Sequence, residues 1–218
     1  MRVACEAEEE PVVHVALDLL NRDCEAVLSQ AFSVEESEGD VYIGTWGKSK
    51  LLEGIARKEG INPSEYLGNH PEAFFITVLK DGKLLVAGSD KRGTAYGVLE
   101  LSRMLGVSPW EWWADVVPDK KQEFRIAAGF TKADYPLVPY RGIFINDEDW
   151  GLMPWSYTNY EPSDVKGQIG PKTHARIFEL LLRLRANTFW PAMHECSVPF
   201  FFTEGNKEMA DKYAIYLG

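Results

Sequence analysis

Apolar residues first recur at helical spacing. Val12, Val13, Ala16, Leu17, Leu20, Val27 and Leu28 lie near a 3.6-residue period. Pro11 suits the first turn of that helix, where its missing N–H costs nothing. Val41-Tyr42-Ile43 reads as a short strand ending at Gly44, and Leu51, Leu52 and Ile55 share one face of a helix over residues 49–59. Residues 74–79 and 84–87 are strand-like, and Asp81-Gly82 between them predicts a hairpin turn. Residues 94–105 are helical, with Gly106 placed as a left-handed cap. The order helix, strand, helix, hairpin, helix predicts a two-layer α/β unit whose helices cover one sheet face.

Beyond residue 109 the pattern changes. Trp110, Trp112 and Trp113 crowd a short stretch, Asp119-Lys120-Lys121-Gln122 looks exposed, and Pro136 and Pro139 disfavour a central strand. A first domain over residues 1–118, a linker over 119–139 and a second domain over 140–218 follow from this. Gly142-Ile143-Phe144-Ile145 is a continuous apolar run, as for a strand buried on both faces. After a loop rich in Trp, Tyr, Pro and Gly, Pro171 begins a helix. Ile177, Leu180, Leu181 and Leu184 form its inward stripe, and Glu179 and Arg183 an outward i,i+4 pair. Thr188-Phe189-Trp190 reads as the next strand and residues 208–213 as part of another helix. This alternation predicts parallel βα architecture.

Charge and composition narrow the function. A formal net charge of −10 argues against nucleic acid and anionic membranes as partners, and weakly against polyanionic substrates. No apolar run reaches membrane-spanning length, and Glu6 and Glu8-Glu9-Glu10 stand where a secretory signal needs an apolar core. Cys5, Cys24 and Cys196 are odd in number and show no CxxC, which predicts free thiols. Gly88 to Gly93 is not GxGxxG, so a dinucleotide site is rejected.

Three long strings stand out. The first is Gly88-Ser89-Asp90-Lys91-Arg92-Gly93-Thr94-Ala95-Tyr96-Gly97, continuing through Gly106-Val107-Ser108-Pro109-Trp110-Glu111-Trp112-Trp113-Ala114-Asp115-Val116. The second is Tyr140-Arg141-Gly142-Ile143-Phe144-Ile145-Asn146-Asp147-Glu148-Asp149-Trp150-Gly151. The third is the run over residues 178–195, which ends in Phe189-Trp190-Pro191-Ala192-Met193-His194-Glu195. In this order they resemble glycoside hydrolase family 115, with the likeness running from about Pro11 to Gly218. The resemblance implies an N-terminal α/β accessory domain, then a (β/α)8 TIM-barrel catalytic domain of which residues 140–218 supply the first two βα units. It implies an inverting enzyme that removes glucuronic acid, or its 4-O-methyl ether, from α-1,2 links on xylan. No cofactor is expected. Members are commonly exported, so the full-length protein is expected to be secreted or periplasmic, although this chain shows no signal peptide. A full barrel needs about 250 residues. This chain is therefore expected to be an N-terminal fragment, inactive alone and prone to homo-oligomerise through uncovered apolar faces.

In such a barrel the chemistry lies at the C-terminal ends of strands. Asp147 is the candidate catalytic residue, with Asn146, Glu148, Asp149 and Trp150 beside it as substrate contacts; the alternative is a polar loop with a capping role. His194 and Glu195 follow the second strand at the same level, and His194 fits substrate contact better than proton transfer. Arg141 precedes its strand and so reads as structural. Lys91 and Arg92 are candidates for the uronate carboxylate, against helix-start chemistry with Asp90 capping. Trp110, Trp112 and Trp113 stack on sugars or, more simply, pack between domains. The principal acid and base are expected on later strands, beyond Gly218. Two other classes compete: a non-catalytic carbohydrate-binding module built on the first domain, and a metallohydrolase using Asp147, Asp149, His194 and Glu195, weakened by the absence of HExxH.

Overall fold

A computed structural model describes residues 1–146 and 149–218 of the chain, which divides into two compact units, Met1–Pro139 and Tyr140–Gly218.

Unit 1 runs β1 (Arg2–Ala4), α1 (Pro11–Leu28), β2 (Ser33–Glu35), β3 (Val41–Thr45), α2 (Lys50–Glu59), α3 (Ser64–Leu67), β4 (Phe74–Val78), β5 (Leu84–Gly88), α4 (Lys91–Leu105) and β6 (Thr131–Asp134). The strands form one sheet in the order β2-β1-β3-β5-β4-β6. β1 is parallel to β2 and β3, and β3 to β5, while β4 is antiparallel to β5 and β6. The hairpin over Asp81-Gly82 sits where the sequence predicts it, with Gly82 at φ 85°. Ser49 Oγ accepts from Leu52 N–H to cap α2, and Asp90 caps α4 by accepting from Arg92 and Gly93 N–H.

The two-layer expectation is corrected. Ala4, Tyr42, Phe75, Leu85 and Ala87 share one sheet face, packed with Leu52 and Ala56 of α2 and Leu67 of α3. The alternating residues Phe74, Ile76 and Val86 face the other way, and α4 lies on them with α1 alongside. Helices cover both faces, so unit 1 has three layers. Parallel strands require crossovers, and crossovers place helices on both sides of a sheet. Within residues 119–139, β6 pairs Thr131 with Thr77 and Asp134 with Phe74. Lys132 Nζ reaches the buried Glu100 of α4 at 2.7 Å, where Arg103 also binds at 2.6 Å.

Unit 2 runs β7 (Gly142–Phe144), α5 (Leu152–Trp155) continued by a π-helical turn at Ser156–Tyr160, α6 (Pro171–Arg183), β8 (Thr188–Trp190), a 3-10 turn at Phe200–Phe202, α7 (Asn206–Lys212) and β9 (Tyr216–Leu217). β7, β8 and β9 are parallel neighbours. β9 is a third strand that the sequence does not announce. β7 is not buried on both faces: Ile143 is 39% and Phe144 51% exposed, because β7 is an edge strand among the described residues. The outward ion pair on α6 is corrected too. Glu179 is buried, with Arg176 Nη1 at 3.0 Å and Arg183 Nε at 3.0 Å, whereas Leu184 is exposed.

His174 holds this unit's core together. Its Nδ1 lies 3.0 Å from Gly170 O and 3.1 Å from Asn206 Oδ1. Both are acceptors, so Nδ1 carries the proton. Asn206 in turn donates to Ile169 O and Phe200 O at 3.0 and 3.1 Å. Phe178, Phe189 and Phe200 surround the ring. Burial pushes the His174 pKa from 6.5 down to about 4, against the smaller opposing pull of its two hydrogen bonds.

Two outcomes follow from this packing. A Cβ added at Gly97 would lie 2.8 Å from Val86 Cγ1 and 3.1 Å from Phe74 Cβ. Gly97→Ala should therefore cost about 1–3 kcal/mol by overpacking, read as a lower denaturant midpoint. His174 is neutral when folded and titrates near 6.5 when unfolded. Its stabilising effect is complete above pH 6.5 and is lost as pH falls to about 4, on the order of 3 kcal/mol. Denaturation series from pH 7 to 4 should show that slope, and a variant with Leu at position 174 should flatten it.

Candidate functional site

The candidate site is the C-terminal edge of β7, β8 and β9, where loops leave a parallel sheet and side chains can converge on one ligand. The ladder extends to that edge, since Ile145 N–H donates to Trp190 O at 3.0 Å and Gly218 N–H to Phe189 O at 3.0 Å. Two loops rise from it, and apolar packing fastens them together. Ala192, after β8, is buried with Met153 and Ile169 from the stretch that follows β7, and Leu152, Tyr157 and Cys196 pack around them. Val198 N–H donates to Gly167 O at 2.9 Å. At φ 84°, Gly167 passes so near Cys196 that an added Cβ would meet its carbonyl oxygen at 2.2 Å.

Along this edge Asn146, Asp149 and Trp150 are exposed after β7, Trp150 at 85%. Asp147 and Glu148, between them in sequence, lie outside the described residues. His194 and Glu195 are exposed after β8, with His194 Nδ1 3.2 Å from Cys196 Sγ. The chain thus brings Asn146, Asp149, Trp150, His194 and Glu195 to one edge of one sheet. Carboxylates and an imidazole can hydrogen-bond sugar hydroxyls, and aromatic faces can cover the apolar side of a ring. Trp190, Phe201 and Phe202 also expose rings on this side, at 48%, 64% and 82%. Their sequence signal is slight: a Trp closing a strand, and three successive Phe after Pro199 of which only Phe200 is buried.

Other candidates lie elsewhere. Lys91 and Arg92 belong to unit 1, in the first turn of α4. Arg92 Nε is 2.5 Å from the buried Glu72 carboxylate, and Lys91 faces Glu10 at 3.9 Å, so both charges are matched locally. Arg141 sits at the opposite end of the strands and donates from Nε to Arg185 O at 2.7 Å. Trp112 and Trp113 meet edge to face at 4.8 Å in unit 1. Cys5, Cys24 and Cys196 are free thiols, and burial pushes Cys5 up to about 12 and Cys24 to about 11. Among the described residues no three His, Cys, Asp or Glu side chains gather as a metal site, and no helix is long and apolar enough to cross a membrane.

Comparison with known proteins follows this geometry. The family model for glycosyl hydrolase family 115 matches residues 133–218. Across its whole length the chain is 60% identical to a solved family 115 4-O-methyl-α-glucuronidase, BtGH115A, with specificity for decorated arabinogalactans, at a TM-score of 0.95. It spans 28% of that enzyme's length. Two remoter structures share the fold alone. CpGH84D is 11% identical with a TM-score of 0.59, over 99% of this chain and 33% of its own. A Flavobacterium johnsoniae chitobiase is 12% identical with a TM-score of 0.56, over 99% and 30%. A search of curated proteins found no match. With three family strings in order, a family-model match across the βα unit and 60% identity from end to end, the chain belongs to glycoside hydrolase family 115.

Proposed function

We propose that the chain is part of an α-glucuronidase that removes glucuronic acid, or its 4-O-methyl ether, from side-chain links on a plant polysaccharide. The observation that carries this is the 60% identity to a 4-O-methyl-α-glucuronidase over every residue of the chain. In this reading β7, β8 and β9 are the first three strands of a (β/α)8 barrel, and unit 1 is its accessory domain. The link is α-1,2 and the polymer glucuronoxylan or its oligosaccharides. The relative's specificity for decorated arabinogalactans supports a second polymer, carrying the same uronic acid on a galactan backbone. The full-length protein is secreted or periplasmic, where such polymers are met.

Inversion needs an acid and a base whose carboxyl groups stand roughly 6.5–9.5 Å apart, with water between them. We assign one carboxylate of the site to Asp147, where it orients the attacking water or holds a sugar hydroxyl. Asn146, Glu148, Asp149, Trp150, His194 and Glu195 are assigned to substrate contact. The uronate's counter-charge is not drawn from Arg176 or Arg183, which are committed to Glu179. Three strands cannot enclose a barrel site, so this chain alone should release no uronic acid above a buffer control. In the full-length enzyme Asp147→Asn should lower turnover by about 100-fold or more, the scale of losing an acid–base partner, with the melting temperature unchanged. His194→Ala should chiefly raise KM. Steady-state kinetics on glucuronoxylan and arabinogalactan fragments checks this. Near-normal turnover for Asp147→Asn would remove Asp147 from the chemistry.

A further inference from the structure

We propose a second carbohydrate-binding surface in unit 1, formed by Tyr66, His70 and Tyr135, that holds an uncharged stretch of polysaccharide backbone. Tyr66 of α3 lies flat on the buried Phe75, with ring centroids 4.1 Å apart and planes at 15°. It is nonetheless 46% exposed, so its outer face is open. His70 stacks on Tyr135 at 3.6 Å and 3°, and Tyr135 remains 39% exposed. The sheet register relates the two stacks. Phe75 pairs with Ala133 and Phe74 with Asp134, the residue before Tyr135, so both stacks lie by the β4–β6 pair of the sheet.

Both platforms are fixed before any ligand arrives. Tyr66 is held by Phe75, and α3 is braced by the Trp46 Nε1–H bond to Ser64 Oγ at 2.8 Å. His70 stacks on Tyr135, and a Cβ added at Gly68 would come within 3.1 Å of its ring. Little side-chain entropy is then lost on binding. Hydrogen-bonding groups border the rings: Asn62 and Glu65, joined at 3.1 Å, and the exposed Asn69.

Size and charge select the occupant. A Tyr side chain buries at most about 150–250 Å², so three half-open rings offer far less than the roughly 800 Å² per partner of a stable protein interface. A single saccharide chain needs only a narrow row of flat faces for its C–H surfaces. Glu65 beside Tyr66, within a chain of net charge −10, disfavours a uronate-rich stretch and leaves a neutral backbone. None of these residues belongs to the unit 2 edge, so the surface would keep polymer near the enzyme rather than position a scissile bond. It rests on the family assignment but not on the catalytic roles proposed above.

Native electrophoresis through gels containing uronate-free arabinoxylan tests this on both the 218-residue chain and the full-length protein. Both should be retarded relative to a polysaccharide-free gel. Tyr66→Ala and Tyr135→Ala should each weaken apparent affinity roughly three- to tenfold, the scale of one aromatic contact. The double variant should run unretarded, and Tyr66→Phe should keep the retardation. Melting curves identify any variant that has lost its fold. Asp147→Asn in the full-length enzyme should be retarded like the parent, which separates this surface from the catalytic assignment. No retardation of the parent chains, retardation by polygalacturonate alone, or a folded double variant retarded like the parent would each overturn the proposal.

Discussion

Unit 2 depends on one buried amide. Asn187 has no exposed surface, and it touches all three strands at their N-terminal ends. Its Oδ1 accepts from Arg141 N–H at 3.0 Å and from Thr188 Oγ1 at 2.8 Å, its own N–H donates to Arg141 O at 2.8 Å, and its carbonyl accepts from Tyr216 N–H at 2.7 Å. β7, β8 and β9 are each only two or three residues long, with the slanted bonds of a parallel ladder. Such a sheet gains register from a group that binds every strand. An apolar residue at 187 would keep its backbone bonds but take the Oδ1 acceptor from the Arg141 N–H and the Thr188 hydroxyl, at about 1–3 kcal/mol each.

The two ends of the strands therefore differ in kind. At the N-terminal end polar groups are buried and paired, and Arg141 spends its guanidinium on Arg185 O. At the C-terminal end the loops are joined by apolar contacts lower down, through Ala192, Met153 and Ile169, while Asn146, Asp149, Trp150, His194 and Glu195 remain open. The buried polar pairs thus gather at the N-terminal end, and the exposed polar side chains at the other. His174 and Asn206 tie the start of α6 to the start of α7 inside the aromatic core.

Much of this was legible in the sequence, and the failures have physical causes. The amphipathic helices, the Asp81-Gly82 hairpin and the Gly106 cap declare themselves through periodicity and local backbone needs. β1 and β9 do not, since Arg-Val-Ala and Tyr-Leu carry no alternation and gain strand character only from neighbours distant in sequence. β6 reads as a polar stretch because Lys132 is drawn to Glu100, a partner no local rule supplies. Glu179 and Arg183 have the spacing of a solvent-facing pair, and Arg176 one turn earlier lets the carboxylate be buried with charge on both sides. At the edge of unit 2 the polar residues could be chosen from strand-end position, but the exposed Phe201 and Phe202 could not, because apolar residues announce a core by default.

Unit 1 fills its own helix starts. Open α/β sheets bind ligands beyond the carboxyl ends of their strands, and helix N-termini there attract anions. In unit 1 those positions are taken by the chain's own carboxylates. Glu6 accepts from Ser49 Oγ and, at 3.3 Å, from Leu51 N–H at the start of α2. Asp90 accepts from Arg92 and Gly93 N–H at the start of α4. Glu9, itself buried, takes the Thr45 N–H at 2.6 Å and its hydroxyl at 2.9 Å where β3 ends. Lys48 and Lys91 both reach Glu10, at 2.8 and 3.9 Å. A phosphate or uronate approaching this edge would have to displace carboxylates already hydrogen-bonded to backbone. Unit 1 thus keeps the shape of a ligand-binding α/β sheet while its anion positions are filled from within. Among the described residues of unit 2, by contrast, Asn146, Asp149, His194 and Glu195 lie exposed at the C-terminal edge of the strands.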